Sequence, residues 1–465
     1  MTADMHLDPS VLREYDIRGI IGETLTAEHY RAIGQAFGTG LIREGGRSVA
    51  VGYDGRLTSP ELETALIAGL AATGLLVHRI GLGPSPMLYF AVHHLGADGG
   101  MMITGSHNPP EYNGIKMSRR GRPFFGDDIR DLGVTVSQAD YASGQGRVED
   151  APVAAAYVAR LSADMIAGRP LRVAWDPGNG AAGAVLRDLC ATLPGEHFLV
   201  NETVDGTFPA HHPDPTVEEN LEQLREEVAR HRCDLGIAFD GDGDRIGVID
   251  ERGRVVWGDQ LLVLLARPIL AELPGATIIA DVKSSQVFFD EIQRMGGVPL
   301  MSRTGHSPIK KLMAETGAPL AGEMSGHVFF AHRYYGYDDA LYAAVRLLAL
   351  IGAGEESLGS LRDSLPSKVN TPELRIDCPE ERKFQVIEDV RARLTDMPEV
   401  SVDTVDGVRV STADGWWLLR ASNTQPVLVG RCEAADAAGL KRLRDALDRQ
   451  LHLSGLEPSR YAGNH

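Results

Sequence analysis

The chain has 465 residues, 43% of them hydrophobic and 24% charged, enough to bury several cores and long enough for about three domains. With 46 Lys+Arg against 64 Asp+Glu the net charge is -18 and the pI is near 5.3, a field that repels phosphate backbones and anionic lipid and argues against nucleic-acid and membrane-surface roles. Cys190, Cys233, Cys378 and Cys432 lack C-x-x-C spacing, so neither a disulfide framework nor a zinc site is expected. The start, MTADMHLDPSVL, has no basic region followed by an apolar core, and the most apolar later stretch, 261–273, is broken by Arg267 and Pro268; a cytoplasmic protein with reduced thiols is expected.

Three segments share one plan, in which a β-rich run ends at an acidic residue and is followed by a polar turn, an amphipathic helix pattern and a short strand. The first is SVAVGYDGR, with a helix over about 60–74 and the strand LVHRI. The second is RVAWDPGNG, with a helix over about 181–193 and the strand HFLV; the third is TIIADVKSS, with a helix over about 286–295 and the strand VPLMS. Their strand-end aspartates, Asp54, Asp176 and Asp281, lie 122 and 105 residues apart, which predicts three related α/β domains rather than a short-period solenoid. Seams are expected around 142–152, 249–258 and 365–371, giving α/β domains over 1–151, 152–254 and 255–366. Beyond them, 367–465 reads as an α+β module: the strand ELRIDC, a helix over 380–394, short strands with Asp-Gly turns at Asp406 and Asp414, and a closing helix over about 434–451.

The run GGMMI predicts a strand leading into TGSHNPPEYNGIK, so Ser106 is expected in a loop past a strand's carboxyl end, where α/β sheets place ligands. Gly105 and the Asn-Pro-Pro turn would hold its hydroxyl out. A divalent cation can polarise such a serine and neutralise a phosphoryl group, with His107 and Lys116 near enough to assist; the alternative is a turn with an N-capping serine. Further on, Gly178, Gly180 and Gly183 spell G-x-G-x-x-G at the head of a helix, with Glu202 about 20 residues later. The following FPAHHPDPTVEEN is not a second βαβ half, and the equivalent turns YDGR and DVKSS lack the glycines, so a tight turn near the substrate is expected rather than a dinucleotide site.

DGDGDR, from Asp240 to Arg245, follows the apolar run DLGIAF and alternates carboxylates with glycines that let the backbone curl. If the three converge, each pair at ~4 Å costs roughly 4 kcal/mol at an effective dielectric of 20, so on the order of 12 kcal/mol in all unless a cation sits among them. All-oxygen ligands favour Mg²⁺ over zinc or copper, the alternative being a solvated acidic turn. A calcium EF-hand loop ending at Glu251 is rejected, because its sixth position is Arg245 instead of Gly and its flanks read as strands. GEMSGH offers a carboxylate, a hydroxyl and an imidazole suited to sugar hydroxyls. RASNTQP groups a guanidinium, hydroxyls and an amide after the strand WWLLR, a set of donors for a phosphate; Trp416 and Trp417 read as packing residues.

Taken together and in this order, these runs resemble the phosphohexomutase superfamily, and specifically its phosphomannomutase/phosphoglucomutase branch, across essentially the whole chain. The resemblance implies a heart-shaped architecture, with three related α/β domains and a C-terminal α+β domain around a central cleft. It implies phosphate on Ser106, Mg²⁺ held by Asp240, Asp242 and Asp244 with Ser106, sugar hydroxyls met by Glu323 and Ser325, and a substrate phosphate held by Arg420, Ser422, Asn423 and Thr424. Tyr15, Arg18 and Lys283 are further implied substrate contacts, and His107, Lys116, Arg245, His306 and His327 implied catalytic residues, with His306, His327 and Lys116 as the proton-transfer candidates. Met324 stands where the glucosamine-phosphate branch usually has Gln, which makes that substrate the less expected one.

The chemistry so implied is a relay in which phospho-Ser106 gives its group to a hexose monophosphate, the hexose 1,6-bisphosphate turns round, and its other phosphate returns to Ser106. A cleft made locally basic by Lys116, Arg245, Lys283 and Arg420 is expected, in a monomer or weak homo-oligomer whose partner is a hexose phosphate. Two rival readings stand beside it: a phosphoserine phosphatase, which needs the same serine and aspartates, and a non-enzymatic sugar-phosphate sensor, which has no need of both a metal site and an exposed serine.

Overall fold

The computed structural model describes residues 5–166, 168–394, 400–423 and 425–457. Four sheets follow one another along the chain, and the first three repeat one arrangement. In the first, Ser48–Tyr53 is buried along its middle and pairs in parallel with Leu76–Leu82 on one side and Gly99–Ile103 on the other, as a valine-rich strand between crossover helices should. Gly99–Ile103 then turns back into the antiparallel Tyr112–Arg119. In the second, Leu171–Asp176 lies between Gly195–Leu199 and Leu235–Phe239, and the latter turns back into Ile246–Asp250. In the third, Thr277–Asp281 lies between Val298–Ser302 and Leu320–Gly322, and the latter turns back into Val328–Phe330. The turn from the parallel strand into its antiparallel partner therefore carries, in the three copies, Ser106, the DGDGDR aspartates and GEMSGH.

The helices expected between the paired strands are Ser59–Ala71, Gly183–Thr192 and Gln286–Arg294. Two short strands occupy stretches expected to be seams. Arg147–Asp150 adds to the first sheet beside Leu76–Leu82 with all its residues exposed, so no apolar pattern marks it. Val255–Val256 pairs with Ile246–Asp250 and carries the second sheet two residues beyond 254.

A continuous apolar core joins these three units. Helix Ala340–Ala353 is buried on nearly all sides, and the core around it includes Tyr157, Val248, Leu264 and, from the first unit, Met87 and Val92. Its N-cap, Asp339, accepts from Tyr342 N at 2.9 Å and from the Tyr157 hydroxyl at 2.9 Å, a cap contributing about 1 kcal/mol and a tie between units at once.

The fourth sheet is antiparallel, with Gly415–Ala421 beside Val427–Ala434, and helices Glu380–Leu394 and Ala437–Leu453 cover it through a separate core. It docks through a small apolar cluster of Val282, Trp416 and Leu418 and through polar contacts. Arg409 donates to the carbonyls of Val282 at 2.7 Å and Ser284 at 2.8 Å while its guanidinium sits 3.8 Å from the Trp416 ring, and Gln286 N donates to Glu433 Oε1 at 2.9 Å. Trp417 belongs to the core of this sheet, and Trp416 packs with Val282 and Leu418 while also serving as the platform for that arginine. No helix among the described residues is long and apolar enough to cross a membrane.

Candidate active site

Asp240 follows strand Leu235–Phe239, and its Oδ1 accepts the N–H groups of both Asp244 and Arg245 at 3.1 Å, which curls the loop so that three carboxylates face one point. Gly243 takes the left-handed φ of 73° that this curl requires. All three aspartates are 0% exposed, with carboxylate oxygens within 4.8 Å of one another. Among the described residues, Asp242 Oδ1 accepts no hydrogen bond, and Asp244 Oδ1 has only the His327 imidazole, 3.3 Å away without hydrogen-bond geometry. Lys116 Nζ donates to Asp242 Oδ2 at 2.7 Å and also to Asp244. Burial, joined by the charges of Asp244 and Asp242, pushes the Asp240 carboxyl well above the usual range. Burial would raise Asp244 too, but Lys116 and His327 hold it well below. Buried oxygens with no donor, all hard, and a carboxyl raised by its neighbours' charge fit a divalent cation such as Mg²⁺.

Ser106 meets this cluster from the first sheet. Its Oγ lies 3.1 Å from Asp240 Oδ2 and 3.1 Å from His107 Nδ1, and its N–H donates to Thr104 Oγ1 at 2.8 Å. The hydroxyl expected to be held out to solvent is instead held in: Ser106 is 3% exposed, because the loop folds against the aspartates. Its φ of 49° is left-handed, a conformation costing a non-glycine residue about 1–2 kcal/mol that the surroundings must enforce. Burial, then Arg245 and Arg18, drives the His107 imidazole well below its ordinary value, so it is neutral.

The third copy adds an ionised pair. His327 Nδ1 lies 3.0 Å from Glu323 Oε2 and 3.2 Å from Ser325 Oγ. Burial opposes charge on His327, but Asp244 and Glu323 outweigh it and bring the imidazole up to about 9; Glu323 is brought down to about 2 against its own burial, chiefly by His327. His306, with its ring 6.3 Å from that of His327, is pushed the other way by burial and by Lys310, and is neutral.

A second group is bound together across three sheets. Tyr15 Oη donates to Thr304 O at 2.8 Å and accepts from Asn423 Nδ2 at 2.7 Å, while Asp406 takes both Arg420 Nε at 2.8 Å and Thr304 N at 3.0 Å. The Tyr15 ring meets that of His306 edge-on at 5.8 Å, which joins this group to the first. Arg18 pairs with Asp16 and donates to Asn108 Oδ1 at 2.5 Å, beside the serine loop. Ser422 is 7% exposed at the head of its loop, and Thr424 lies outside the described residues. The basic cleft expected from sequence is charge-compensated in the fold: Lys116 faces Asp242 and Asp244, Lys283 faces Glu373 at 3.3 Å, and Arg420 faces Asp406. Arg245 likewise has Asp214 and Asp240 as the leading charges around it.

Several supporting residues escaped the sequence reading. Ser85, in GPSP, donates its hydroxyl to Asp242 Oδ2 and its N–H to Asp242 O at 2.8 Å. Pro213, in FPAHHPDP, accepts Gly241 N at 3.1 Å. Each sits in a Pro-rich turn distant in sequence from the acidic loop it supports, so local pattern gave no sign of the contact. The glycine-rich turn is filled by backbone: a Cβ on Gly180 would lie 2.8 Å from Gly241 O, and one on Gly183 2.2 Å from Glu202 O, so the turn packs on the acidic loop and leaves no room for a pyrophosphate.

Four domain models match the chain in order: phosphoglucomutase/phosphomannomutase alpha/beta/alpha domain I over 10–140, domain II over 155–253, domain III over 257–369 and the C-terminal domain over 373–450. Similar proteins include a phosphomannomutase/phosphoglucomutase from Pseudomonas putida, 45% identical over 445 residues and 96% of each chain. A phosphoglucomutase from Neisseria gonorrhoeae is 41% identical over 438 residues, 94% of this chain and 95% of that one. The crystal structure of a phosphoglucomutase/phosphomannomutase family protein from Burkholderia thailandensis matches with a TM-score of 0.92 at 41% identity, over 99% of both chains.

Proposed function

The chain belongs to the phosphoglucomutase/phosphomannomutase family, and on that footing we propose that it interconverts hexose 1-phosphate and hexose 6-phosphate, of mannose, glucose or both, through a phosphoserine at Ser106 and a hexose 1,6-bisphosphate intermediate. The observation that carries the reading is the Ser106 Oγ held 3.1 Å from Asp240 in a buried trio of carboxylates.

Asp240, Asp242 and Asp244, with the Ser106 oxygen, would hold Mg²⁺, which supplies charge neutralisation for a phosphoryl group. In the forward step the bond between phosphorus and Ser106 Oγ breaks, a bond from phosphorus to the free sugar hydroxyl forms, and that hydroxyl's proton passes to a base. The return step runs in the opposite sense with the other phosphate: its bond from phosphorus to the sugar oxygen breaks, a bond from phosphorus to Ser106 Oγ forms as the hydroxyl gives up its proton, and the sugar oxygen takes one, which restores phospho-Ser106. Transfers in opposite senses need one proton acceptor and one donor, and neutral His306 beside protonated His327 offers one of each. His107, neutral and 3.1 Å from Ser106 Oγ, orients the nucleophile, while Lys116 and Arg245 add positive charge beside it. Glu323 and Ser325 orient sugar hydroxyls. Arg420, Ser422, Asn423 and Thr424 hold the phosphate that is not reacting, with Tyr15, Arg18 and Lys283 completing the grip. Cytoplasmic work as a monomer or weak homo-oligomer, with hexose 1,6-bisphosphate as activator, completes the proposal.

Burial of Ser106 favours transfer to a sugar over transfer to water. Incubation with glucose 1-phosphate and Mg²⁺ should give glucose 6-phosphate with little free phosphate. Predominant inorganic phosphate would instead identify a phosphatase, and binding without turnover a sensor. The intact protein should carry one phosphate, mapped to Ser106, and Ser106→Ala should lose roughly a thousandfold of the activity or more.

A further inference from the structure

One buried cation takes no part in the steps above. Arg56, in the turn after strand Ser48–Tyr53, is 1% exposed, and its guanidinium is ringed by carbonyls of a single loop. Nη1 donates to Pro109 O at 2.6 Å and Tyr112 O at 2.9 Å; Nη2 donates to Ser106 O at 2.9 Å and Asn108 O at 2.6 Å. Nε faces Asp54 Oδ2 at 3.3 Å, and that same oxygen accepts Gly105 N at 3.1 Å. Asp54 Oδ1 is fixed in turn by Arg56 N at 3.0 Å and Ser59 Oγ at 2.7 Å.

Burying a guanidinium costs several kcal/mol unless its N–H groups are met, and the Asp54 carboxylate alone meets the charge but not the fork. Four carbonyls are recruited besides, all between 106 and 112. A planar fork of fixed donors dictates where those carbonyls must lie, which a flexible ammonium does not. Ser106 is the residue that needs such enforcement, since its φ of 49° is left-handed, and its captured carbonyl is also where the acidic loop arrives: a Cβ on Gly241 would lie 2.2 Å from Ser106 O. Arg56 thus fixes the backbone at the contact between the serine loop and the acidic loop.

We propose that Arg56 is a positioning residue for phosphoryl transfer, holding the loop from Ser106 to Tyr112 in the conformation that presents Ser106 Oγ to the three aspartates. The inference rests on Ser106 as the phosphate carrier. Arg56 acts through the loop, so its loss should reduce kcat and leave ground-state binding of the sugar nearly intact; a displacement of reacting groups by about 1 Å costs about 100-fold.

The test uses Arg56→Gln, Arg56→Lys and Gly105→Ala in the full chain. The last keeps the arginine but places a Cβ 2.4 Å from its Nε, pushing the guanidinium aside without removing charge. For glucose 1-phosphate with saturating Mg²⁺, kcat should fall about 100-fold in Arg56→Gln and about 10-fold in the other two, with KM within about threefold of the parent. A purely structural role would lower the thermal midpoint while leaving kcat of the folded protein unchanged, and that result overturns the proposal. If the Arg56 variants do not fold, Gly105→Ala decides: a folded protein with parental kcat overturns it, and a selective loss of kcat supports it. Turnover retained by Ser106→Ala rejects the phosphoserine reading itself, whereas an inactive Ser106→Ala beside a fully active Arg56→Lys rejects only the positioning role.

Discussion

Ser106 Oγ and Asp240 Oδ2 lie 3.1 Å apart across 134 residues of chain, each at the turn of an equivalent hairpin in a different sheet. The serine hydroxyl and the acidic cluster are therefore positioned by hairpins of two different sheets, at a point where both groups are buried.

Removing one charge from the cluster tests its role as a cation site. Asp242→Asn keeps the shape of a side chain that touches Ser85 and Lys116, so the variant should fold, yet it should need at least about tenfold more Mg²⁺ for half-activation and turn over about 100-fold more slowly. Chelation should abolish activity in the parent. An Asp242→Asn protein with an ordinary magnesium titration would rule the trio out as the metal site.

Gly241→Ala probes the meeting of the two loops by sterics alone. Its new Cβ would stand 2.2 Å from Ser106 O, and overpacking of this kind costs about 1–3 kcal/mol. Because the strain falls on the line between Ser106 and Asp240, kcat should drop by about 100-fold, more than the loss of stability suggests. Parental kinetics would mean that the loops separate without consequence.

Tyr15→Phe deletes a hydroxyl that ties the first sheet to Thr304 and Asn423. Two hydrogen bonds of about 1 kcal/mol each are lost, so KM for the hexose phosphate should rise by about 5- to 30-fold, with kcat less affected. A variant whose defect lies in kcat alone would place Tyr15 at the chemistry instead.

Acid should loosen the fourth domain at a particular bridge. Lys283 holds the Glu373 carboxyl down to about 2 from an ordinary 4.5. A carboxylate lowered by folding contributes stability present above about 4.5 and lost as pH falls through about 2, here at most about 3 kcal/mol. Glu373→Gln should thus unfold at a lower temperature than the parent at pH 7, and the two curves should converge only below about pH 2. Curves that stay parallel throughout would deny the bridge its role.

Most of the fold was legible because each α/β copy announces itself by an apolar run, an acidic strand end and an amphipathic helix, as at Asp54, Asp176 and Asp281. The motif loops were legible because glycine and functional groups crowd together in them, as in DGDGDR. Strand Arg147–Asp150 was not, since a fully exposed edge strand has no hydrophobic alternation to read. Arg56 was hidden for the opposite reason: an arginine in a turn is ordinarily a solvated charge, and only the closed structure reveals a ring of carbonyls around it. The burial of Ser106 and the pairing of Lys116 and Lys283 likewise depend on partners more than a hundred, or nearly a hundred, residues away, which local pattern does not encode.

The threefold repetition of a hairpin turn divides the functional groups among the copies: one carries the Ser106 hydroxyl, one the three aspartates, one the Glu323 carboxylate. Each turn hangs from its own pair of strands, so rewriting the side chains of one leaves the other two supports standing. A mutase of this build offers interchangeable stations. The third turn also carries His327, whose backbone bridges to Arg245 and whose ring lies 3.3 Å from Asp244, so only a graft at 323–326 that keeps His327 separates the choice of sugar from the alignment of the other two turns.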